Sequence, residues 1–131
     1  MKGLDTNFLV RYITKDDLTQ WQIVSDYLDT AYTNGDLCLI NNIVLCELVW
    51  VLRSAYKFPK LDIVSTLEKI AVSDIFVFED EPTFQAAIEQ FKQGSADFSD
   101  YLIGQTNQNA GCSETATFDR KLNQASAFQL L

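Results

Sequence analysis

The chain has 131 residues, a length that a single domain can fold around its own core without disulfide bonds. Its composition, 47% hydrophobic and 21% charged, is typical of a globular protein and excludes a disordered one. The formal net charge of −8 argues against a protein that coats nucleic acid by broad electrostatic attraction. It still permits an enzyme that reaches nucleic acid through bound metal.

Other classes are excluded by local features. The longest apolar run, residues 43–52, is interrupted by Glu47 and is too short to cross a bilayer, so we expect no membrane association. The N-terminus has no basic segment followed by an apolar stretch and a cleavage site, which favours a cytoplasmic protein. The chain has three cysteines and no histidine, which argues against a zinc site and against a catalytic thiol.

The predicted elements alternate between strand and helix along the chain. Residues 2–5 are predicted to form a short buried strand, and strands are also predicted at residues 37–40, 75–78, 115–117 and 128–131. Capping residues and prolines followed by helical periodicity predict helices at residues 6–13, 18–33, 43–56, 60–71, 82–93 and 97–110. This alternation predicts one domain, residues 1–131, folded as a three-layer α/β/α sandwich with a mainly parallel central sheet.

Carboxylates recur at conspicuous places in this pattern. Asp5 ends the first predicted strand, Glu47 is the only charge in the apolar run at residues 43–52, and Asp119 follows the fourth strand. Asp97 and Asp100 share one helix face. Because ligands bind at the carboxyl ends of parallel strands, we expect these acids to converge. Buried carboxylates are costly unless they bind a cation, so the set predicts a pocket for a hard divalent ion, Mg²⁺ or Mn²⁺.

Each acid also has a structural alternative. Asp5 and Asp97 stand where a helix N-cap is expected, and Asp119 stands where a turn or a surface ion pair is expected. Glu47 can instead pair with an arginine or belong to a polar stripe on a surface helix. Capping accounts for one of Asp97 and Asp100, and we assign the cap to Asp97 and the metal side to Asp100.

The residues around these acids resemble a known family. The segments that carry the resemblance are LDTNFLVR (residues 4–11), VLCELVWVL (44–52), ADFSDYLI (96–103), GC (111–112) and TFDRK (117–121). Their order and spacing are similar to those of the PIN domain, specifically the VapC-type toxins of bacterial toxin–antitoxin pairs. The resemblance implies an α/β/α sandwich, frequent homodimers and Mg²⁺- or Mn²⁺-dependent ribonuclease activity.

The resemblance also implies roles for individual residues. Asp5, Glu47 and Asp100 match the core acidic triad, Asp119 matches a fourth acid and Asp97 matches an extra one. Polar residues that match the pocket are Thr6, Asn7 and Thr117. Asp5 and Asp100 are the expected metal ligands, with Glu47 and Asp119 acting directly or through water.

The expected activity is hydrolysis of RNA to a 5′-phosphate and a 3′-hydroxyl, with no side-chain general base required. A toxin implies an antitoxin partner, and we expect an apolar helix of that partner near Trp50, Tyr56 and Phe58, with an arginine that enters the acidic pocket. Core packing is the favoured alternative for Trp50. The alternative function is a non-catalytic PIN domain that binds RNA or protein.

Overall fold

The computed structural model describes all residues from 1 to 131. Its helices are α1 (Thr6–Thr14), α2 (Leu18–Thr33), α3 (Asn42–Ser54), α4 (Lys60–Ala71), α5 (Glu81–Gln93) and α6 (Phe98–Asn109). Its strands are β1 (Lys2–Gly3), β2 (Cys38–Ile40), β3 (Phe76–Phe78), β4 (Thr115–Thr117) and β5 (Phe128–Leu130), and a 3₁₀ turn covers Arg120–Leu122. Every predicted helix and strand is present, with ends that differ by about two residues at most.

Local side-chain chemistry fixes where the helices start. Asp17 accepts a hydrogen bond from the Gln20 N–H at 3.0 Å at the start of α2, and Asn41 accepts one from the Val44 N–H at 2.9 Å at the start of α3. These bonds satisfy N–H groups that have no partner within the helix. After α2 the chain turns at Gly35, whose φ of 73° is a backbone conformation that glycine adopts without strain.

The chain forms two compact units, Met1–Glu79 and Asp80–Leu131. In the first unit, β1, β2 and β3 form a parallel sheet in chain order, with Gly3 opposite Leu39 and Ile40 opposite Phe78. The first strand was expected to be buried, and this expectation is wrong: Lys2 and Gly3 are exposed, and the first buried residue is Leu4. The core of this unit contains fully buried aliphatic side chains: Leu9, Ile40, Leu45, Leu48, Leu52, Ile63 and Leu67.

In the second unit, β4 and β5 form a two-stranded parallel sheet. Helices α5 and α6 pack together through aromatic rings, with the Phe98 ring edge-on to Phe84 at 6.2 Å and to Phe91 at 6.0 Å between centroids. All three rings are buried. This cluster anchors the start of α6, where Asp97 and Asp100 stand.

The predicted α/β class with parallel strands is confirmed. The strands pair in two sheets, one within each unit, where the sequence predicted one central sheet. The assignment of residues 1–131 to a single domain stays a prediction. None of the six helices combines the length and the apolar character that crossing a bilayer requires.

Candidate active site

Asp5 is the N-cap of α1. It directly follows Leu4 at the carboxyl end of β1, and its Oδ1 accepts a hydrogen bond from the Phe8 N–H at 2.9 Å. The structural alternative for this residue is therefore realised. The cap engages one carboxylate oxygen, and the side chain is exposed, so the second oxygen remains available to a cation. Asn7 is exposed in the first turn of the same helix.

Glu47 meets the start of α1 through Thr6. The Thr6 hydroxyl donates to Glu47 Oε1 at 3.1 Å, across 41 positions of sequence. Helices α1 and α3 pack together, which holds the two residues in place. Glu47 therefore lies at the start of α1, the helix that Asp5 caps, and the convergence of the acids stays a prediction.

The exposure of Glu47 differs from the expectation of a buried carboxylate. Helix α3 turns Leu45, Leu48 and Leu52 into the core and leaves Glu47 on its exposed face, next to Trp50, which is 70% exposed. The apolar residues around Glu47 in sequence are thus distributed over both faces of the helix. Because Glu47 is exposed, water hydrates its charge, and the residue needs no cation to be stable in its ionised form.

The carboxyl edge of the three-stranded sheet contains an acid that the sequence analysis missed. Glu79 directly follows β3, and its Oε1 accepts a hydrogen bond from the Asn42 N–H at 2.8 Å, at the start of α3. The Asn42 Oδ1 atom is buried without a hydrogen-bond partner. The available signal was positional, because Glu79 is the first residue after β3 and Asp5 is the second residue after β1.

In the second unit, Asp97 and Asp100 form a capping box at the start of α6. The Asp97 N–H donates to Asp100 Oδ2 at 3.1 Å. This corrects the expectation that capping would account for only one of the two acids, since both take part. Asp97 is exposed and Asp100 is half-buried.

The half-buried position of Asp100 raises the pKa of its carboxyl group. The charges of Asp97 and Asp119 act in the same direction, while the hydrogen bond from the Asp97 N–H and the charge of Lys121 oppose them. The charges of Asp97 and Asp119 therefore both act on Asp100. A cation among them would offset their repulsion.

Asp119 is held by its neighbours at the start of the 3₁₀ turn. Its Oδ1 accepts a hydrogen bond from the Lys121 N–H at 2.9 Å, and its own N–H donates to the Thr117 hydroxyl oxygen at 3.0 Å. Thr117 thus orients the backbone from which the Asp119 carboxylate projects. Asp119 makes no surface ion pair, so the turn alternative is the one that is present.

The donors present suit a hard cation in chemical type. In neither unit do three or more acidic or thiol side chains converge into a ready-made metal site. The candidate donors are carboxylate oxygens together with the unpartnered amide oxygen of Asn42. Mg²⁺ and Mn²⁺ prefer oxygen ligands, and Mg²⁺ is commonly held by few carboxylates with water and substrate phosphate completing its shell.

A second polar network in the first unit is structural. Arg11 Nη1 lies 3.3 Å from Asp16 Oδ1, and the Tyr56 hydroxyl donates to Asp16 Oδ2 at 2.6 Å. The hydrogen bond from Tyr56 lowers the pKa of Asp16, with further contributions from Thr14 and Arg11. The network ties the turn between α1 and α2 to the segment after α3.

The three aromatics assigned to a partner groove have different environments. Trp50 is exposed, so its assignment to the core is wrong. Tyr56 is half-buried in the polar network with Asp16. Phe58 is half-buried and lines a cleft of about 390 Å³ together with Tyr12 and Ile70.

Residues 3–127 match the PIN domain family. Because the match spans nearly the whole chain, the protein belongs to the PIN domain family. The chain is also similar to the VapC ribonuclease of Aquifex aeolicus (strain VF5), with 24% identity over 124 residues that cover 95% of this chain and 91% of that protein. These findings confirm the predicted resemblance to VapC-type PIN domain proteins. No solved structure gives a significant match.

Proposed function

We propose that the protein is a metal-dependent endoribonuclease that hydrolyses RNA phosphodiester bonds, and that it is the toxin of a toxin–antitoxin pair. The observation that carries the proposal is the 3.1 Å hydrogen bond from Thr6 to Glu47, which brings two candidate acidic segments together from distant parts of the sequence. The similarity to a VapC ribonuclease supports the same activity.

The proposed ligands for Mg²⁺ or Mn²⁺ are Asp5 and Asp100, with Glu47 and Asp119 acting directly or through water. When bound, the ion would supply Lewis-acid stabilisation of charge on the phosphate and would activate water. The capping bonds of Asp5 and Asp119 each use one carboxylate oxygen and so hold these side chains ready for a cation.

Other residues position the acids or meet the substrate. Thr6 holds Glu47 through its hydroxyl, and Thr117 holds the backbone of Asp119. Lys121 favours the ionised form of Asp100 and offers a positive charge to a phosphate. Asn7 is exposed in the first turn of α1 and is free to bind substrate there.

The test is incubation of the purified protein with a mixed pool of tRNA and rRNA in Mg²⁺, in Mn²⁺ and in EDTA. Asp5→Asn and Glu47→Gln are the test variants, and Asp29→Asn on the exposed face of α2 is the charge-matched control. We expect metal-dependent cuts with 5′-phosphate ends from the wild type and the control, and none from the two test variants. Cleavage by Glu47→Gln at the wild-type rate would contradict the assignment of that residue.

One observation favours a second candidate function. Asp5, Asp97, Asp100 and Asp119 all take part in capping, so their presence is also explained by a non-catalytic domain that binds RNA or protein. A folded protein that binds Mn²⁺ and RNA but makes no cuts under any of the three conditions would support this candidate.

We further propose a cytoplasmic homodimer that binds an antitoxin. An apolar helix of the antitoxin would lie near Trp50 and the cleft that Phe58 lines, since both offer apolar surface. Co-expression with the antitoxin, followed by Trp50→Ser in the toxin, tests the contact. An undiminished complex would place the antitoxin elsewhere.

A further inference from the structure

The second unit contains a cleft of about 670 Å³ that is lined by Lys121 but by none of the candidate acids. It lies between the end of α5 and the segment that runs from the 3₁₀ turn to β5. The volume falls within the range of about 300–1,000 Å³ that is usual for small-molecule sites. We propose that this cleft binds one nucleotide of the RNA substrate, with its phosphate on Arg120 and Lys121 and its base against side-chain amides. The inference rests on the proposed function, to which it adds a substrate subsite.

The charge of the cleft is unusual for this chain. The protein has 18 acidic and 10 basic residues, yet the cleft is lined by Arg120 and Lys121 and by no aspartate or glutamate. Both cations are exposed, and neither forms an ion pair. Two adjacent unpaired cations provide the complement of a phosphate, which accepts charge-assisted hydrogen bonds from both side chains.

Amide side chains supply the groups that recognise a base. Gln90, Gln93, Asn123 and Gln124 all line the cleft. Only Gln93 has a side-chain partner in the protein, donating to Glu89 at 2.7 Å. Each carboxamide carries both a donor and an acceptor, as base edges do, and unpaired RNA is recognised chiefly at such edges. The remaining three amides are therefore available to a base.

The wall of the cleft is fixed before any ligand binds. Tyr101 is 4% exposed, and its hydroxyl oxygen accepts a hydrogen bond from the Ala96 N–H at 3.2 Å. Gly94 permits this position, because a Cβ there would lie 2.8 Å from the Tyr101 Cζ atom. A preformed wall lowers the entropic cost of binding.

The cleft adjoins the candidate acids through Lys121. Its backbone N–H donates to Asp119 Oδ1 at 2.9 Å, and Asp119 caps the 3₁₀ turn that contains Lys121. A phosphate that binds Lys121 would therefore lie close to Asp119.

The test measures the binding of a short, fluorescently labelled single-stranded RNA of mixed sequence by anisotropy. The measurements are made in EDTA, at salt concentrations between about 50 and 200 mM. Removing one phosphate contact lowers the slope of log affinity against log salt by about 0.7 for a single strand. We expect this reduction for Arg120→Gln and for Lys121→Gln, and about 1.4 for the double variant. The charge-matched control is Lys57→Gln, an exposed cation outside the cleft, which should keep the wild-type slope.

Replacing an amide should have a different effect. Asn123→Ala is expected to leave the salt slope unchanged and to reduce the difference in affinity between oligo(A), oligo(C) and oligo(U). Because all these side chains are exposed, circular dichroism should show an unchanged fold in every variant.

The outcomes separate the subsite from the nuclease. RNA cleavage by a protein whose cleft variants match Lys57→Gln in salt slope would overturn the subsite and leave the nuclease standing. If the Arg120 and Lys121 variants lower the salt slope of RNA binding but the wild type makes no cuts, the subsite is supported and the nuclease is refuted. If mononucleotides displace the RNA with an affinity equal to its own, the cleft is a mononucleotide site and not an RNA subsite. If the cleft binds poly-glutamate and not RNA, it is a site for acidic peptides.

Discussion

Asp5 offers the sharpest test, because its capping role and its proposed metal role respond differently to substitution. Its Oδ1 accepts one hydrogen bond from the Phe8 N–H at 2.9 Å. Asparagine caps a helix about as well as aspartate, so Asp5→Asn should lose only the interaction of the charge with the helix dipole, about 0.3–1 kcal/mol. Asp5→Ala also loses the cap, which typically costs about 1 kcal/mol more. Urea unfolding should rank the stabilities Asp, then Asn, then Ala.

RNA cleavage should not follow that ranking. Loss of even an outer-shell partner of a metal costs about 10–100-fold, so we expect both variants to lose at least about 100-fold in initial rate. The assay compares initial rates at a temperature where all three proteins are folded. If Asp5→Asn cleaves RNA at nearly the wild-type rate, Asp5 is a helix cap only, and the metal assignment is wrong.

Three further predictions concern stability and ionisation. Tyr56→Phe should raise the pKa of Asp16 towards its ordinary value, as measured by NMR titration. In the wild type, the stabilisation from ionised Asp16 is fully present above the ordinary carboxyl pKa and is lost as the pH falls through the lowered pKa. An unchanged Asp16 pKa in the variant would contradict the role of the Tyr56 hydrogen bond. Gly94→Ala should reduce the free energy of unfolding by about 1–3 kcal/mol, because the new Cβ would lie 2.8 Å from Tyr101 Cζ. If urea unfolding shows wild-type stability, the Tyr101 ring can move away from the new methyl group. Trp50→Ser should change that free energy by less than about 0.5 kcal/mol, since the side chain is 70% exposed, and a larger loss would mean that the ring packs against the protein.

The starts of the helices could be predicted because they depend on neighbouring residues. Asp17 and Asn41 each bond an N–H three positions later in the chain, so the sequence contains both partners. The turn after α2 is equally local, since Asn34 and Gly35 suffice to end the helix. The strands were predictable for the same reason, as short apolar runs between such signals.

The environment of the candidate acids was harder to predict. Glu47 lies within an apolar run, and the sequence suggested burial, yet α3 places it on the exposed face. The capping box between Asp97 and Asp100 engages both acids, whereas the spacing alone suggested one. Glu79 was missed because its partner, the Asn42 N–H, is 37 positions away.

The sequence by itself determined the order of the elements, the helix caps, the oxygen-rich donor set and the family, since these depend on residue type and on contacts a few positions apart. The tertiary structure decided which distant segments meet, through the packing of α1 on α3 that brings Thr6 to Glu47. It also created the cleft beside Lys121, whose cations and amides come from different elements. Contacts between distant segments depend on how whole helices pack, and no local pattern encodes that packing.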